Sequence, residues 1–301
     1  MYDIIIIGGG PAGLTAAIYG KRAGKSVLVI EKETFGGQIT FSPKVENIPG
    51  FMPLSGNEFA EKLVEQALSL GADVEMTKAE KIKNGKIKTV VTEDGDFEGK
   101  AVIIASGAKH RLLGAKGEQN FIGEGISFCA VCDGAFYKGQ EVAVIGGGNS
   151  ALQEALLLSD LCKKVTVVQN LDFLTGEQAL IDQLDVRENI EVITGTVVES
   201  FDGQDELSAI TIKRLKDGKT SSFSVNGVFL AVGLEPQNQP FGTLAGLDER
   251  GYIISDEHCK TKTDGIFTAG DCRTKKIRQV TTAAADGSIA ALAACEYIDN
   301  L

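Results

Sequence analysis

The chain has 301 residues, 43% of them apolar, with 36 glycines, six prolines and no tryptophan. That is enough for two domains or one large α/β domain, and the composition is too apolar and regular for a disordered chain. The net charge of −11 makes nucleic acid and anionic lipid poor partners, and no apolar run approaches the ~18 residues of a membrane span.

The first segment, "MYDIIIIGGGPAGLTAAIY", reads as a strand, a glycine turn and a helix, with no basic leader before it. A cytoplasmic protein is expected. Gly8, Gly10 and Gly13 stand at the G-x-G-x-x-G spacing, with Pro11 and Ala12 between the last two. The first glycine permits a tight turn, the second lets backbone N–H groups approach a pyrophosphate, and the third lets helix and strand pack closely. Glu31 ends the second strand "VLVIEK", where an acid can accept a bond from a ribose hydroxyl. Phe59, Leu63, Ala67 and Leu70 recur at helical spacing, with Gly71 as a stop. Lys86–Thr92 predicts a short strand, and "AVIIASGAKHR" (Ala101–Arg111) a closing strand.

Next comes "FCAVCDGAFYKG", with Cys129 and Cys132 two residues apart and Asp133 directly after. The spacing suits a reversible disulfide, in which one sulfur attacks and the other resolves. Half a zinc site is the competing reading, but His110, His258 and the four scattered cysteines offer no second pair at ligand spacing. No metal is expected. Asp133 can pass protons during exchange if its surroundings raise its pKa; a helix cap or turn residue is the alternative. Cys162, Cys259, Cys272 and Cys295 are expected to pack in the interior.

The opening pattern then repeats. "VAVIGGGNSALQEALL" (Val142–Leu157) echoes Ile4–Tyr19, "VTVVQN" echoes "VLVIEK", and "VFLAVGLEPQ" echoes the first closing strand. Two nucleotide-binding-type βαβ units in series follow. Ile210–Lys216 predicts a further strand and Val280–Ile298 a helix. Boundaries are expected near 113/114 and 244/245. Between them lie 9 basic and 18 acidic side chains, a net of −9, so most of the excess negative charge sits mid-chain.

"TDGIFTAGDC" followed by "RQVTTAAADG" resembles the second fingerprint of the FAD-binding disulfide reductases. "GGQ" at Gly36–Gln38, "ENIPG" at Glu46–Gly50 and "ASGA" at Ala105–Ala108 match that group in the same order. The resemblance implies FAD held by Gly8, Gly10, Pro11, Ala12, Gly13, Glu31, Gly36, Gly37, Gln38, Asn47, Ala105, Gly107, Gly270, Asp271, Arg278, Gln279 and Val280. In that group the aspartate binds the ribityl chain and the helix start faces the flavin ring. Flavin contacts at both ends imply two Rossmann-like domains, 114–244 being inserted into a flavin domain of 1–113 plus 245–301.

Cys-Ala-x-Cys-Asp-Gly with a downstream Gly-Gly-Gly-x-Ser-Ala resembles, over nearly the whole chain, the low-molecular-weight thioredoxin reductases. This implies thioredoxin as partner, Cys132 facing the flavin, Cys129 attacking thioredoxin and Asp133 as acid. It also implies a homodimer whose two domains rotate against each other to present the dithiol in turn to flavin and thioredoxin. NADPH-linked members carry a His-Arg-Arg and a further arginine that clamp the 2′-phosphate. Here those positions read Gln169, Asn170, Leu171 and Thr175.

A charge-assisted bond contributes about 1.5–3 kcal/mol, so losing two removes roughly 3–6 kcal/mol, or two to four decades of affinity. NADH would favour an acid at the strand end, which is also absent. The departure resembles the ferredoxin-dependent flavin thioredoxin reductases, which use no pyridine nucleotide, and points to reduced ferredoxin as donor. A ferredoxin near −400 mV and a thioredoxin near −270 mV differ by about 130 mV, roughly 6 kcal/mol for two electrons.

An acidic ferredoxin would dock on the less negative flavin domain, at Arg273, Lys275, Lys276 and Arg278, with Lys109 and Arg111 nearby; a merely solvated basic face is the alternative. Two further readings stay open: an NADPH-dependent enzyme with an altered phosphate site, and a non-catalytic redox-sensing flavoprotein. The surviving second glycine loop also leaves room for another nucleotide or a second flavin.

Overall fold

The computed structural model describes residues 1–42 and 45–301. Met1–Ser42, Ile48–Lys109 and Glu235–Leu301 pack as one compact unit, and His110–Leu234 form the body of a second.

The first unit is built on the strand Tyr2–Ile7. It pairs in parallel with Val27–Glu31 on one side and Gly95–Ile104 on the other. Asp73–Met76 extends the sheet beyond Val27–Glu31, and Ile266–Thr268 pairs in parallel with Gly95–Ile104. Lys88–Thr92 and Ala79–Lys83 add antiparallel strands.

The unbroken apolar runs have a simple cause, because both faces of the central strands are buried. Ile4 and Ile6 face a core shared with the helices Pro11–Arg22 and Val280–Asp299. Ile5 and Ile7 face the other side, against Phe241, Ala245 and Ile253. Each such side chain contributes about 1.5–3 kcal/mol by leaving water. The helix anticipated from Phe59 to Leu70 spans Gly56–Ser69 and starts in a capping box, with Ser55 and Glu58 exchanging bonds.

The second unit repeats the plan. Its parallel sheet runs Ile190–Ile193, Lys164–Val168, Glu141–Ile145, Gly227–Leu230, Ile126–Ser127. The expected strand near Ile210 is Leu207–Arg214, the middle of an antiparallel meander with Thr196–Gly203 and Thr220–Ser224. The outer strand Thr220–Ser224 exposes Thr220, Ser221, Ser222 and Ser224, which hides it from a search for apolar runs.

The junctions differ from those expected at 113/114 and 244/245. Residues 110–113 pack with the second unit, where the Glu118 carboxylate accepts from the N–H groups of Leu113 and Gly114, and Gly233 O accepts from Arg111. Residues 235–244 pack with the first. There Asn238, fully buried, donates to Gly251 O and Cys272 O and accepts from Ser106 Oγ. Gly107 (φ +66°) and Gly233 (φ +104°) stand within two residues of the switches at 109/110 and 234/235. Among the described residues no helix is long and apolar enough to cross a membrane.

Candidate active site

The glycine cradle sits between the strand Tyr2–Ile7 and the helix Pro11–Arg22. Gly8 has φ +110°, and a Cβ there would lie 2.2 Å from Ala105 O. A Cβ on Gly13 would lie 1.9 Å from Gly8 O, so turn and helix touch backbone to backbone. Gly9, which the sequence reading passed over, donates to Glu31 Oε2 at 2.7 Å, and its carbonyl accepts from Gly36. Glu31 Oε1 accepts from Lys32 and Glu33 N–H. Glu31 therefore braces the loop it was expected to serve; a carboxylate has about four acceptor sites, which leaves capacity for a hydroxyl. Gly10 lies beside Gly36 and Gly37. Gln38 is exposed on the short 3₁₀ segment Gly37–Phe41.

Gly270 and Asp271 form a 3₁₀ turn after the strand Ile266–Thr268, and Gly270 packs on Ala12. Ala105 and Gly107 follow the strand Gly95–Ile104, against Gly8. Arg278 donates to Asp271 O and lies over the Tyr252 ring, 4.3 Å from its centroid. Gln279 caps the helix that Val280 begins. The expected flavin residues of the first unit thus gather around one strand-end crevice. Asn47 groups with the second unit.

Asp271 has one buried carboxylate oxygen without a partner. Burial pushes its carboxyl above the ordinary range, opposed by the nearby Lys275 and Arg278 charges. A glycine cradle open to a pyrophosphate, together with an orphaned acceptor, fits a diphosphate ligand carrying a hydroxylated chain, which FAD is.

The basic stretch beside this turn is not the docking face expected from the sequence. Arg273 is 7% exposed and held by Asp286, Ser255 Oγ and Asp256 O. Lys275 is equally enclosed and pairs with Asp286 Oδ2 at 2.8 Å. Lys109 pairs with Glu33, and Arg111 belongs to the second unit. Charge sign is legible in a sequence, but inward direction is not. Of the RTKKIR cations, Lys276 is the one exposed to solvent.

In the second unit Cys129 and Cys132 are joined as a disulfide with Cα atoms 5.3 Å apart. Cys129 caps the one-turn helix Ala130–Asp133, its sulfur accepting from Cys132 N–H. Ser127, which no sequence signal marks, receives Cys129 N–H and donates to Asp133 Oδ2 at 2.7 Å. The other Asp133 oxygen is buried without a partner. Burial raises the Asp133 carboxyl above its ordinary range against the pull of Ser127, so the surroundings favour the proton-carrying form. The remaining four cysteines are buried thiols. Burial pushes Cys162 up to about 11 and Cys259 up to about 12, so neither forms a thiolate readily.

Residues 2–287 match the family model of the pyridine nucleotide-disulphide oxidoreductases. A thioredoxin reductase of Listeria innocua is 41% identical over 303 residues, covering 100% of this chain and 95% of its own length. The crystal structure of thioredoxin reductase from Streptococcus pyogenes aligns with a TM-score of 0.94 at 41% identity, over 100% of this chain and 99% of that one. The chain belongs to the thioredoxin reductases. Another relative, a 34.2 kDa protein in the rubredoxin operon of Clostridium pasteurianum, is 41% identical over 98% of this chain and 97% of its own. As a thioredoxin reductase the protein is a flavoenzyme that uses FAD to reduce thioredoxin. The relatives give no support to a ferredoxin-dependent branch as such.

The second glycine loop of the reductase is a backbone twin of the first. Gly146 has φ +136° and abuts Ala231 O, as Gly8 abuts Ala105 O. Gln169 stands where Glu31 stands, at the strand end. It is buried, with its side chain against Gly147. Its Oε1 accepts from Asn170 N–H, and its Nε2 donates weakly to Phe173 O. The following segment folds back, with Thr175 and Gly176 donating to Gly147 O and Asn149 exchanging two bonds with Glu177. Leu171 and Phe173 are exposed.

Proposed function

We propose that this thioredoxin reductase receives its electrons one at a time from a reduced iron–sulfur carrier of the ferredoxin type, not from NADPH. The observation that carries the reading is the strand end at Gln169–Thr175. No guanidinium or ammonium stands there, and the side chain nearest the loop, Gln169, is buried and already accepts from Asn170 N–H. A 2′-phosphate would meet the neutral Asn170, Leu171 and Thr175 and the acid Asp172. The rubredoxin operon of one relative is in keeping with a one-electron iron carrier. Bound FAD supplies the conversion between single electrons and the pair a disulfide needs.

The chain's own residues then take these roles. Gly8, Gly10, Gly13 and the turn at Gly270–Asp271 bind and orient the flavin, with Asp271 accepting from a hydroxyl. Cys132 faces the flavin. Cys129, as thiolate, attacks the thioredoxin disulfide; one thioredoxin sulfur leaves and takes a proton from Asp133. Cys132 next attacks Cys129, which restores the Cys129–Cys132 bond and releases the second thioredoxin sulfur.

A second reading, an NADPH-dependent enzyme with an altered phosphate site, is favoured by the intact glycine twin at Gly146–Gly148 and by the pyridine nucleotide of the family description. Anaerobic titration of the bound flavin separates the two. Photoreduced ferredoxin should bleach it and sustain thioredoxin reduction. Rapid bleaching and turnover at micromolar NADPH would overturn the first reading in favour of the second.

A further inference from the structure

The helix Asn149–Ser159 follows the second glycine loop and packs against the disulfide helix Ala130–Asp133. Glu154 lies mid-helix. One of its carboxylate oxygens is fully sunk and has no hydrogen-bond partner. Burial pushes the carboxyl up to about 7, against a smaller pull from the backbone N–H of Ala130, the residue after Cys129. An unpaired carboxylate is expensive to keep ionised in such a place.

We propose that Glu154 is a positioning residue for the redox disulfide: its buried carboxyl, on the helix packed against the disulfide helix, makes the dithiol's hold on electrons depend on pH. The proposal rests on Cys129 and Cys132 being the redox pair. Breaking their bond with an electron pair from the reduced flavin leaves two sulfur anions; one takes a proton and becomes a thiol, and the other stays a thiolate that keeps one negative charge on the pair. An ionised Glu154 beside the same helix opposes sulfur anions. Reduction therefore draws a further proton onto Glu154 wherever it was ionised beforehand, which is above about pH 7.

Other titratable groups on the packed elements do not supply this behaviour. Asp133 is buried but bonded to Ser127, and Tyr137 is raised by burial and by Asp133. Glu141, on the strand Glu141–Ile145, pairs with Lys163, and Lys164, on Lys164–Val168, pairs with Glu191. Asp182 and Asp185, on the helix Gln178–Asp185, face solvent.

The test compares the holoenzyme with Glu154→Gln, which keeps the size and shape of the side chain but carries no charge. Dithiol potentials are measured against a thiol–disulfide buffer from about pH 6 to pH 8.5. The two potentials should coincide at the acid end, and the gap should open above about pH 7, the wild type becoming harder to reduce. Parallel lines across the range would overturn the proposal. Urea midpoints give an independent readout. A folded-state carboxyl raised to about 7 loses its stabilising contribution as pH climbs through that value. Glu154→Gln should thus unfold at higher urea than wild type near pH 8 and at the same urea near pH 4, below the unfolded value of 4.5; equal midpoints at both would count against a buried, titrating Glu154. A wild-type holoenzyme that accepts only the flavin's electrons and no further pair would remove the redox-pair reading itself, and the proposal with it.

Discussion

Replacing Asp286 with alanine tests how the flavin turn is held. Asp286 sits on the helix Val280–Asp299 and receives Gly270 N–H, Arg273 Nη1 at 3.2 Å and Lys275 Nζ at 2.8 Å. The Arg273 and Lys275 side chains are each 9% exposed, so the substitution leaves two enclosed cations without the anion they share. Removing one partner of a buried pair costs about 3–5 kcal/mol. Arg273 keeps its bonds to Ser255 Oγ and Asp256 O, which places the expected loss near the lower end, about 3 kcal/mol. Domain stabilities are about 5–15 kcal/mol, so the unit should fold but with a clearly lower urea midpoint. The turn also loses its tether at Gly270, next to Asp271, so FAD should dissociate more readily. Urea unfolding followed by circular dichroism reads the first effect, and fluorescence of released flavin reads the second. Asp286→Asn keeps an acceptor for Gly270 and should fall between. An Asp286→Ala protein within about 0.5 kcal/mol of wild type, the range of surface substitutions, would refute the claim that these cations are enclosed and dependent on one anion.

Gly8→Ala forces a Cβ to within 2.2 Å of Ala105 O at φ +110°; the purified protein should lose most of its flavin, read as the visible-to-ultraviolet absorbance ratio, and a fully yellow variant would contradict the cradle. Cys129→Ser should keep FAD and accept electrons from the donor yet reduce no thioredoxin; retained thioredoxin reduction would favour a non-catalytic role for the cysteines. Burial holds the Asp133 carboxyl above the usual range, so its protonated fraction, and with it thioredoxin reduction limited by proton delivery, should fall as pH rises through that raised value. Asp133→Asn should be slower throughout and lack that limb; an unchanged pH–rate profile in the variant would exclude Asp133 as the acid.

The repeated strand–glycine–helix plan was legible because it rests on two signals that survive in one dimension: apolar runs long enough to bury both faces, and glycines where backbone meets backbone. The disulfide segment was legible for the same reason, since a two-residue gap is a local distance. What stayed hidden depends on direction. Arg273 and Lys275 look like a surface patch until Asp286, more than ten residues on, is seen to turn them inward. Glu154 looks like a solvent-facing helical acid until the disulfide helix closes over it. Ser127 becomes part of the site only because Asp133 Oδ2 comes within 2.7 Å of it.

The two glycine loops carry the same lesson further, into the question of the electron donor. Gly8 and Gly146 share a left-handed turn against a carbonyl, so both loops have the backbone shape that admits a pyrophosphate. That shape is also what a strand-to-helix turn needs in order to pack, whether or not a ligand is present. Discrimination between ligands therefore falls to the residue at the end of the second strand and those after it. In the first unit that residue is Glu31, a charged acceptor with sites to spare after bracing Gly9. In the second it is Gln169, neutral and enclosed, its oxygen accepting from Asn170 N–H and its amide donating weakly to Phe173 O. Rebuilding the fold around either loop changes nothing in this contrast, since the exposed chain after Gln169 offers leucine and phenylalanine where a phosphate would need a guanidinium. Under the proposal of a ferredoxin-type donor, the choice of donor is set by a handful of side chains on a fold that is the same either way.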